Sequence, residues 1–366
     1  MPLYAALVML FLSSVSAFQE LLLNAPDPRV VRRLEWAKSD LSRGLACTDA
    51  PTCNDVALNT LALTALGRFE TVRPALAGAA QRTPLWLIAA HQYWLASGDD
   101  VFLREQWATM QNLLFVTQSE RTLHDGGVLL AALDGLIAMA RAMNDSTALE
   151  RARAVYTFAE RRAQEAPGVI APAFGLLEAE RSDAHITRLA DTVHARWPLA
   201  TGLIALGLYE YHHDSIAFTL VQEMATRESS TASMFVLALL RGLLGWEVDA
   251  GHRAFVLEPH LPAGWNAMSV NNLSVGQEKV TVEISRGDGV YALRLTRDKT
   301  GPPLSVQVSP AFVRGARIRS VKVNDEDVPV HVELTEDDVH AVVQGVLRRE
   351  INIEIEYTLP RRASPR

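Results

Sequence analysis

The sequence predicts a mainly helical protein, in which a helical domain over residues 25–250 is followed by an antiparallel β domain over residues 252–360. Two observations predict this division. Apolar residues recur every three or four positions through the first part, which is typical of amphipathic helices. After Ala254 they alternate with polar residues, which is typical of half-buried strands. The 366 residues, 49% of them apolar and 21% charged, are enough to bury two substantial cores.

The change of period falls within residues 232–265, which read ASMFVLALLRGLLGWEVDAGHRAFVLEPHLPAGW. One helical stripe in this segment is formed by Phe235, Leu239, Leu243 and Trp246. Alternation begins at Ala254, and Pro259 and Pro262 interrupt it. The segment therefore predicts a last helix that runs directly into the first strand of the β domain.

Short links predict that the helices of the first part pack as antiparallel pairs. Asp55 and the Thr83-Pro84 pair have the side chains that favour helix starts, and Asn144-Asp145-Ser146 favours a turn. The helices are expected at residues 27–42, 55–69, 83–96, 101–114, 125–143, 147–165, 185–193, 199–211, 216–225 and 232–246.

The second part predicts a series of short strands joined by turns. Gly287-Asp288-Gly289 lies between two alternating runs, which is typical of a hairpin. Asn324-Asp325 and Asp337-Asp338 indicate further turns. This pattern predicts an antiparallel β-sandwich.

The charge balance argues against one class of partner. The net charge is −7, from 35 basic and 42 acidic residues, and no basic run offsets it, so we expect no nucleic-acid-binding surface. After the N-terminus, no segment has the length and apolar purity of a transmembrane helix, so we expect no integral membrane domain.

Residues 1–17 predict a cleaved secretory signal, because residues 3–12 are apolar and Val15 and Ala17 fit the small-residue cleavage pattern. The expected location is secreted or periplasmic. The alternative is a shifted start within a longer ancestor, which would leave the protein cytoplasmic. Cys47 and Cys53 lie close together and can form a small disulfide if the compartment is oxidising, whereas two thiols alone do not complete a zinc site.

Family-like motifs are spread over residues 34–276. They are LEWAK at residues 34–38, TPLWLIAAHQYWLASGDDVFL at 83–103, WPLATGLIALGLYEYH at 197–212, LRGLLGWEVDA at 240–250, PHLPAGW at 259–265 and NNLSVG at 271–276. Together they resemble the bacterial amylo-α-1,6-glucosidase (glycogen-debranching-like) family of six-hairpin glycosidases. The resemblance implies an (α/α)6-toroid, here incomplete with about ten helices instead of twelve, followed by a β-sandwich.

The sequence also departs from the family pattern, mainly in loops that would face substrate. Cys53-Asn54 stand where the family has Gly-Gly before Asp55, and residues 76–82 are too short for the polar segment that the family carries there. His194-Ala195-Arg196 replace most of the polar residues that precede Trp197 in the family pattern.

Glycoside hydrolysis usually requires two carboxylates flanking the sugar. The resemblance places the catalytic candidates at Glu223 and Glu228, in the region of the family's base-like glutamate, although the motif around that glutamate is absent. The alternative for both, as for Glu178 and Glu180, is a solvated surface position.

The substrate-binding candidates are Asp55, Asp125 and Trp197. The family pattern implies Asp55, and Asp125 continues the family-like spacing. Trp197 follows a loop and precedes a proline, where it could stack on a sugar ring. The alternative for the two aspartates is capping of a helix or loop.

No phosphate loop, Ser/His/Asp arrangement or zinc spacing is present, so we expect no cofactor. His212-His213-Asp214 suggests a metal, but a cluster at a helix end is expected to be exposed, so we expect no metal site either. The resemblance implies a glycoside hydrolase-like protein that acts on or binds α-glucan or related oligosaccharides. The alternatives are a catalytically degenerate relative that serves as a carbohydrate- or protein-binding module, and a fragment without independent function.

Overall fold

The computed structural model describes residues 20–41, 43, 45, 50–119, 126–165, 170–176, 185–190, 198–227, 231–298, 301–335 and 338–359. Within them, the helices are α1 (Pro28–Leu41), α2 (Ala50–Ala65), α3 (Phe69–Ala77), α4 (Pro84–Ser97), α5 (Asp100–Ser119), α6 (Gly126–Ala142), α7 (Ser146–Glu165), α8 (Ile170–Ala173), α9 (Pro198–Glu210), α10 (Asp214–Thr226) and α11 (Ala232–Leu237). Residues 185–190 are helical as well.

Alternate helices form a closed inner ring. In order, α2 packs against α4, α4 against α6, α6 against α8, α8 against α9, α9 against α11, and α11 against α2. Other helices lie outside this ring, with α3 on α2 and α4, α7 on α6, and α10 on α9. The predicted α/α toroid is therefore confirmed, and the described residues contain more helices than the ten expected, six of which close the inner ring. Its shortest inner member in the described chain is α8, with four residues.

The inner helices are buried because they are apolar on most sides. Neither α4 nor α9 has a continuous polar face, and Leu130, Leu133 and Leu136 of α6 are fully buried. Close packing of these side chains fills the middle of the toroid and holds the ring in one shape.

The helix starts agree with the sequence in one case and differ in another. Thr83 caps α4, and its Oγ1 accepts a hydrogen bond from Trp86 N (3.3 Å). The expected helix start at Asp55 is wrong, because α2 already begins at Ala50 and Asp55 is its sixth residue, exposed to solvent. Pro51 lies in the first turn of this helix, where its missing N–H is not needed.

The last inner helix differs from the predicted one at its C-terminal end. After α11 the chain continues as a π-helical segment, Ala238–Leu243, and Trp246 lies in a strand instead of the helix. The chain leaves the helix at Gly245, whose φ is +57°. A Cβ at Gly245 would lie 2.3 Å from the carbonyl oxygen of Glu258, so this close approach of two backbones requires glycine.

The β domain consists of two packed sheets. One strand, β1 (Leu22–Asn24), comes from the N-terminal segment. The others are β2 (Trp246–Asp249), β3 (Ala254–Leu257), β4 (Ala267–Val275), β5 (Glu278–Gly287), β6 (Val290–Arg297), β7 (Leu304–Val308), β8 (Ala311–Val313), β9 (Arg317–Val323), β10 (Glu326–Asp327), β11 (His331–Leu334), β12 (Asp338–Leu347) and β13 (Glu350–Thr358). One sheet has the order β1-β4-β5-β6-β13-β9-β10, and the other β11-β12-β7-β3-β2, with β8 paired to β12. All pairs are antiparallel except β3 with β7.

The strand β1 was not predicted, and it joins the N-terminal segment to the C-terminal sheet. Leu22 pairs with Asn271 and Asn24 with Ser269. Leu23 is buried in this arrangement. The predicted domain boundary at residues 250–252 stays a prediction. Strand β1 precedes this boundary in the sequence but pairs with a strand that follows it.

The β domain is seated on the C-terminal ends of inner helices. Near the end of α4, Ala96 O accepts a hydrogen bond from Gly276 N (2.9 Å). At the end of the π-helical segment, Leu243 O accepts one from His260 N (2.9 Å).

Two further inner helices also have their C-terminal ends against the β domain. Gly67, just after α2, lies so close to Ser274 that a Cβ there would come within 1.8 Å of the serine Oγ. His212, just after α9, lies 3.4 Å from Asp338 of β12 through its Nδ1 atom. Since four inner helices end at the β domain, their N-terminal ends lie at the opposite side of the toroid.

Some expectations lie outside the described residues, namely the signal over residues 1–17 and the position of Cys47. Cys53 is buried in α2 and disulfide-bonded. None of the described helices is both long and apolar enough to cross a membrane.

Candidate functional site

The predicted sugar-binding residues belong to one end of the toroid. We call this end the N-terminal mouth, defined by the first residues of inner helices α2, α4, α6, α9 and α11, which are Ala50, Pro84, Gly126, Pro198 and Ala232. It is the side opposite the β domain.

Asp55 is the predicted binding residue that the structure describes. It is exposed near the start of α2. Asp125 and Trp197 lie outside the described residues, and in the sequence they directly precede the first residues of α6 and α9. Glu228 also lies outside them, four positions before α11. Four of the candidates thus belong, by sequence, to the starts of inner helices.

The second catalytic candidate, Glu223, is placed differently. It lies on α10, which packs on the outside of α9. Its Oε2 is 3.3 Å from Arg227 Nη2, one turn further along the same helix. The structure therefore places Glu223 on the outer ring and Asp55 on the inner ring. Glu178 and Glu180 lie outside the described residues.

A polar cavity of about 280 Å³ lies at the other end, between the toroid and the β domain. Helix α9 contributes Tyr209 and Glu210 to its wall, and the π-helical segment contributes Arg241. The β domain contributes Glu247, Glu258 and His260. We call this the interdomain cavity.

One carboxyl group of the interdomain cavity is strongly perturbed. The Glu210 side chain is exposed to the cavity, but the surrounding protein reduces its solvation. This burial, together with the charges of Glu247 and Glu258, raises the pKa of Glu210 to about 7, although Arg241 opposes the shift. Arg241 itself donates a hydrogen bond from Nη2 to Glu247 Oε1 (3.0 Å). A carboxyl group with such a pKa can donate a hydrogen bond near neutral pH.

Three histidines cluster beside this cavity, and two of them, His212 and His260, line it. The ring centroids of His212 and His340 are 4.8 Å apart, and His260 lies 6.1 and 5.9 Å from them, respectively. Asp214 and Asp338 accompany these rings at ion-pair distances. The expectation that His212-His213-Asp214 is an exposed cluster is wrong for His212 and Asp214, since the β domain covers them partly.

Opposite charges in this cluster stabilise one another electrostatically. Burial opposes the charged form of each group, yet the contacts of His212, His340 and Thr335 hold the pKa of Asp338 well below its usual range. Burial likewise opposes protonation of His340 and His260, but neighbouring Asp338 and Asp214 raise the two histidine pKa values. The sequence contains a partial signal for this cluster in His212-His213-Asp214. It contains none for His260, Asp338 and His340, because these residues come from chain segments that meet His212 and Asp214 only when the β domain packs on the toroid.

Comparison with solved structures shows a fold shared with glycosidases. The structure of α-L-rhamnosidase from Dictyoglumus thermophilum is similar with a TM-score of 0.66 and 14% identity, covering 92% of this chain and 50% of that chain. A sialidase is similar with a TM-score of 0.60 and 10% identity, covering 88% of this chain and 41% of that chain. This chain therefore spans half or less of the length of these two proteins.

No family model matches the sequence, and no curated protein matches it either. The fold expected from the resemblance is thus supported, whereas the amylo-α-1,6-glucosidase family itself is not confirmed.

Proposed function

We propose that this protein is a glycoside hydrolase-like protein that binds oligosaccharide, with α-glucan as the first class to test, at the N-terminal mouth. The observation that supports this proposal is the common direction of the inner helices. It puts the start of α2, which carries Asp55, on the same side as the starts of α6, α9 and α11. Those starts are preceded in the sequence by Asp125, Trp197 and Glu228.

The physical character of this mouth suits a sugar. The first turns of helices carry N–H groups without partners inside the helix, and the helix dipole favours negative charge there. A carboxylate near this end of the toroid can accept hydrogen bonds from sugar hydroxyls. The other end of the toroid is covered by the β domain. An oligosaccharide therefore reaches the toroid most readily at the N-terminal mouth.

Hydrolysis would require a second carboxylate across the sugar from the first. In this proposal Asp55 binds the sugar, and Glu228 and Asp125 together would supply the acid and the base. Glu223, on an outer helix, is a weaker candidate for this role.

A second candidate function is sugar binding without turnover. Within the described residues, the inner helices carry three carboxylates, Asp55, Asp134 and Glu210. Glu210 ends α9 beside the interdomain cavity, and Asp134 lies in the middle of α6. Of these three, only Asp55 lies near the N-terminal mouth, so within the described residues a single carboxylate is placed there to bind a sugar.

The test is binding and turnover on a panel of α- and β-linked oligosaccharides. The panel includes α-rhamnosides and sialosides, because the similar structures are a rhamnosidase and a sialidase. Isothermal titration calorimetry reports binding, and chromatography of released sugars reports hydrolysis.

We expect Asp55→Asn to weaken binding by at least about tenfold, since a hydrogen bond to a charged group contributes roughly 1.5–3 kcal/mol. Asp134→Asn, an exposed carboxylate on another inner helix, is the matched control and should bind normally. Binding without any sugar release would favour the degenerate relative. A protein that binds no member of the panel, or an Asp55→Asn variant that binds as well as the parent, would contradict the proposal.

A further inference from the structure

The histidine and aspartate cluster between the toroid and the β domain has the composition of a metal site. The ligand atoms of His212, Asp338 and His340 all lie within 4.8 Å of one another. Asp338 Oδ2 is 3.4 Å from His212 Nδ1 and 3.0 Å from His340 Nε2. His340 and Asp338 are buried, with 1% and 5% of their surface exposed.

The orientation of His340 is fixed by its other ring nitrogen. Nδ1 lies 3.1 Å from the carbonyl oxygen of Ser309 and 3.1 Å from Glu258 Oε1. A carbonyl oxygen can only accept, so Nδ1 carries the hydrogen in this contact. Histidines that bind metals are typically held in this way, with one nitrogen donating to a carbonyl or carboxylate and the other left for the metal.

The opposing atoms lack hydrogen-bond partners. His340 Nε2, His212 Nδ1 and Asp338 Oδ2 are buried without a hydrogen bond of acceptable geometry, although they approach at ion-pair distances. The second oxygen of Asp338 is already satisfied, since Oδ1 accepts a hydrogen bond from Thr335 Oγ1 (2.5 Å). With Nδ1 protonated, the Nε2 lone pair of a neutral His340 would face a carboxylate oxygen. Either a metal ion between the two atoms or a second proton on Nε2 relieves this repulsion.

The backbone at His212 is a further sign that its side chain is needed there. This residue has a φ of +63°, in the left-handed region that favours glycine after a helix. A side chain with a Cβ is strained in this conformation. The conformation turns the chain out of α9 so that the imidazole meets β12.

We propose that His212, His340 and Asp338 bind a divalent transition metal ion, zinc in particular, which joins the helical toroid to the β domain. Imidazole nitrogen with carboxylate oxygen is a donor set that suits zinc rather than calcium or magnesium. With zinc–ligand distances of about 2.0–2.2 Å, the ligand atoms of a tetrahedral site lie about 3.3–3.6 Å apart. The distances from Asp338 Oδ2 to His340 Nε2 and His212 Nδ1, 3.0 and 3.4 Å, are close to this spacing.

A second pair of residues lies beside these three ligands. Asp214 Oδ1 and His260 Nδ1 are 2.9 Å apart, and Asp214, His260 and Asp338 each offer one ligand atom within 4.8 Å of the others. Asp214 begins α10 and His260 follows β3, so this pair also joins the two parts of the molecule. It completes the coordination directly or through water. The ion therefore acts as a structural cross-link between the two parts.

The experiment uses the full chain purified through a tag without histidines and treated with a chelator. Zinc chloride is titrated by calorimetry, with calcium chloride as the comparison. We expect one zinc ion per chain with a Kd below about 1 μM, and no calcium binding. At a free zinc concentration about a hundredfold above Kd, we expect the melting temperature to rise by about 3–4 °C.

Variants identify the ligands. His340→Gln and Asp338→Asn should lose zinc binding, and His212→Gln should weaken it at least about tenfold. His212 is partly exposed, so His212→Gln is expected to fold even if a buried variant does not. His252→Gln is the matched control, because His252 is exposed and paired with Asp249 in a turn, and it should bind zinc normally.

The opposite results would overturn the proposal. A parent protein that binds no zinc, and melts at the same temperature in zinc and in chelator, would identify the cluster as a network of protonated histidines and aspartates. Zinc binding that survives in His212→Gln and His340→Gln would place the metal elsewhere.

Discussion

The two ends of the toroid differ in how their residues come together. At the N-terminal mouth, Asp55 lies near the start of α2, and Asp125, Trp197 and Glu228 shortly precede inner helices in the sequence. At the opposite end, Glu210, His212, Glu258 and His340 come from different elements and meet only because the β domain packs on the helices. Position along the chain therefore marks one end, whereas the histidine and aspartate groups that could hold a metal ion lie at the other. Four predictions test this contrast, from the largest expected effect to the smallest.

The largest effect is expected where the last inner helix passes into the β domain. Gly245→Ala places a Cβ 2.3 Å from the carbonyl oxygen of Glu258 and forces a non-glycine residue into a left-handed conformation. We expect the free energy of unfolding to fall by about 3 kcal/mol, measured by chemical denaturation. Gly264→Ala has no atom within 4 Å of the new Cβ and serves as the control. Equal stability of the two variants would show that this end is loosely joined.

The next effect tests whether the N-terminal strand belongs to the C-terminal sheet. Leu23 is 8% exposed and its neighbour Leu22 is 50% exposed, because adjacent strand residues point to opposite faces. Leu23→Ala should lower the free energy of unfolding by about 2–3 kcal/mol, and Leu22→Ala by less than about 0.5 kcal/mol. If the two substitutions cost the same, β1 is not packed as the structure describes.

A smaller effect distinguishes Thr83, which caps α4, from Asp55, which lies inside α2. Thr83 accepts a hydrogen bond from Trp86 N, so Thr83→Ala should cost about 1 kcal/mol. Asp55 lies inside α2 and is exposed, so Asp55→Asn should change stability by less than about 0.5 kcal/mol. Thermal melting of the two variants measures this difference. An early-melting Asp55→Asn variant would mean that the carboxylate has a structural role, and would weaken its assignment to sugar binding.

The smallest effect concerns the interdomain cavity. The pKa of Glu210 is raised from 4.5 to about 7 in the folded state, so the folded protein holds this proton more tightly than the unfolded chain. Its contribution to stability is therefore full below about pH 4.5 and is lost as the pH rises to about 7. Because the side chain is exposed, solvent screening should keep the change below about 1 kcal/mol.

Glu210→Gln should flatten the dependence of melting temperature on pH across this interval. Glu150→Gln, at an exposed position of α7, should keep the profile of the parent. If the two profiles coincide, Glu210 titrates as an ordinary surface carboxyl group and the cavity does not perturb it.

The order of helices and strands could be predicted because the signals are local. A helix buries a face with its own period and a strand buries alternate residues, so each pattern can be recognised within a short window. Errors occurred where a local signal had a competing explanation. Asp55 has the side chain of a helix cap, yet α2 begins at Ala50. Trp246 continues a helical stripe, yet the π-helical segment and Gly245 turn the chain into a strand.

By itself, the sequence determined the fold class. Its family-like motifs also marked the starts of the inner helices α4 and α9. Only the tertiary structure decided which end of the toroid the β domain covers, and that β1 completes a sheet formed by residues some 250 positions away. It also decided that His212 and Asp214 meet His260, Asp338 and His340. The physical reason is that burial, charge coupling and metal coordination depend on distances between atoms, and no period or motif along the chain records which distant segments pack together.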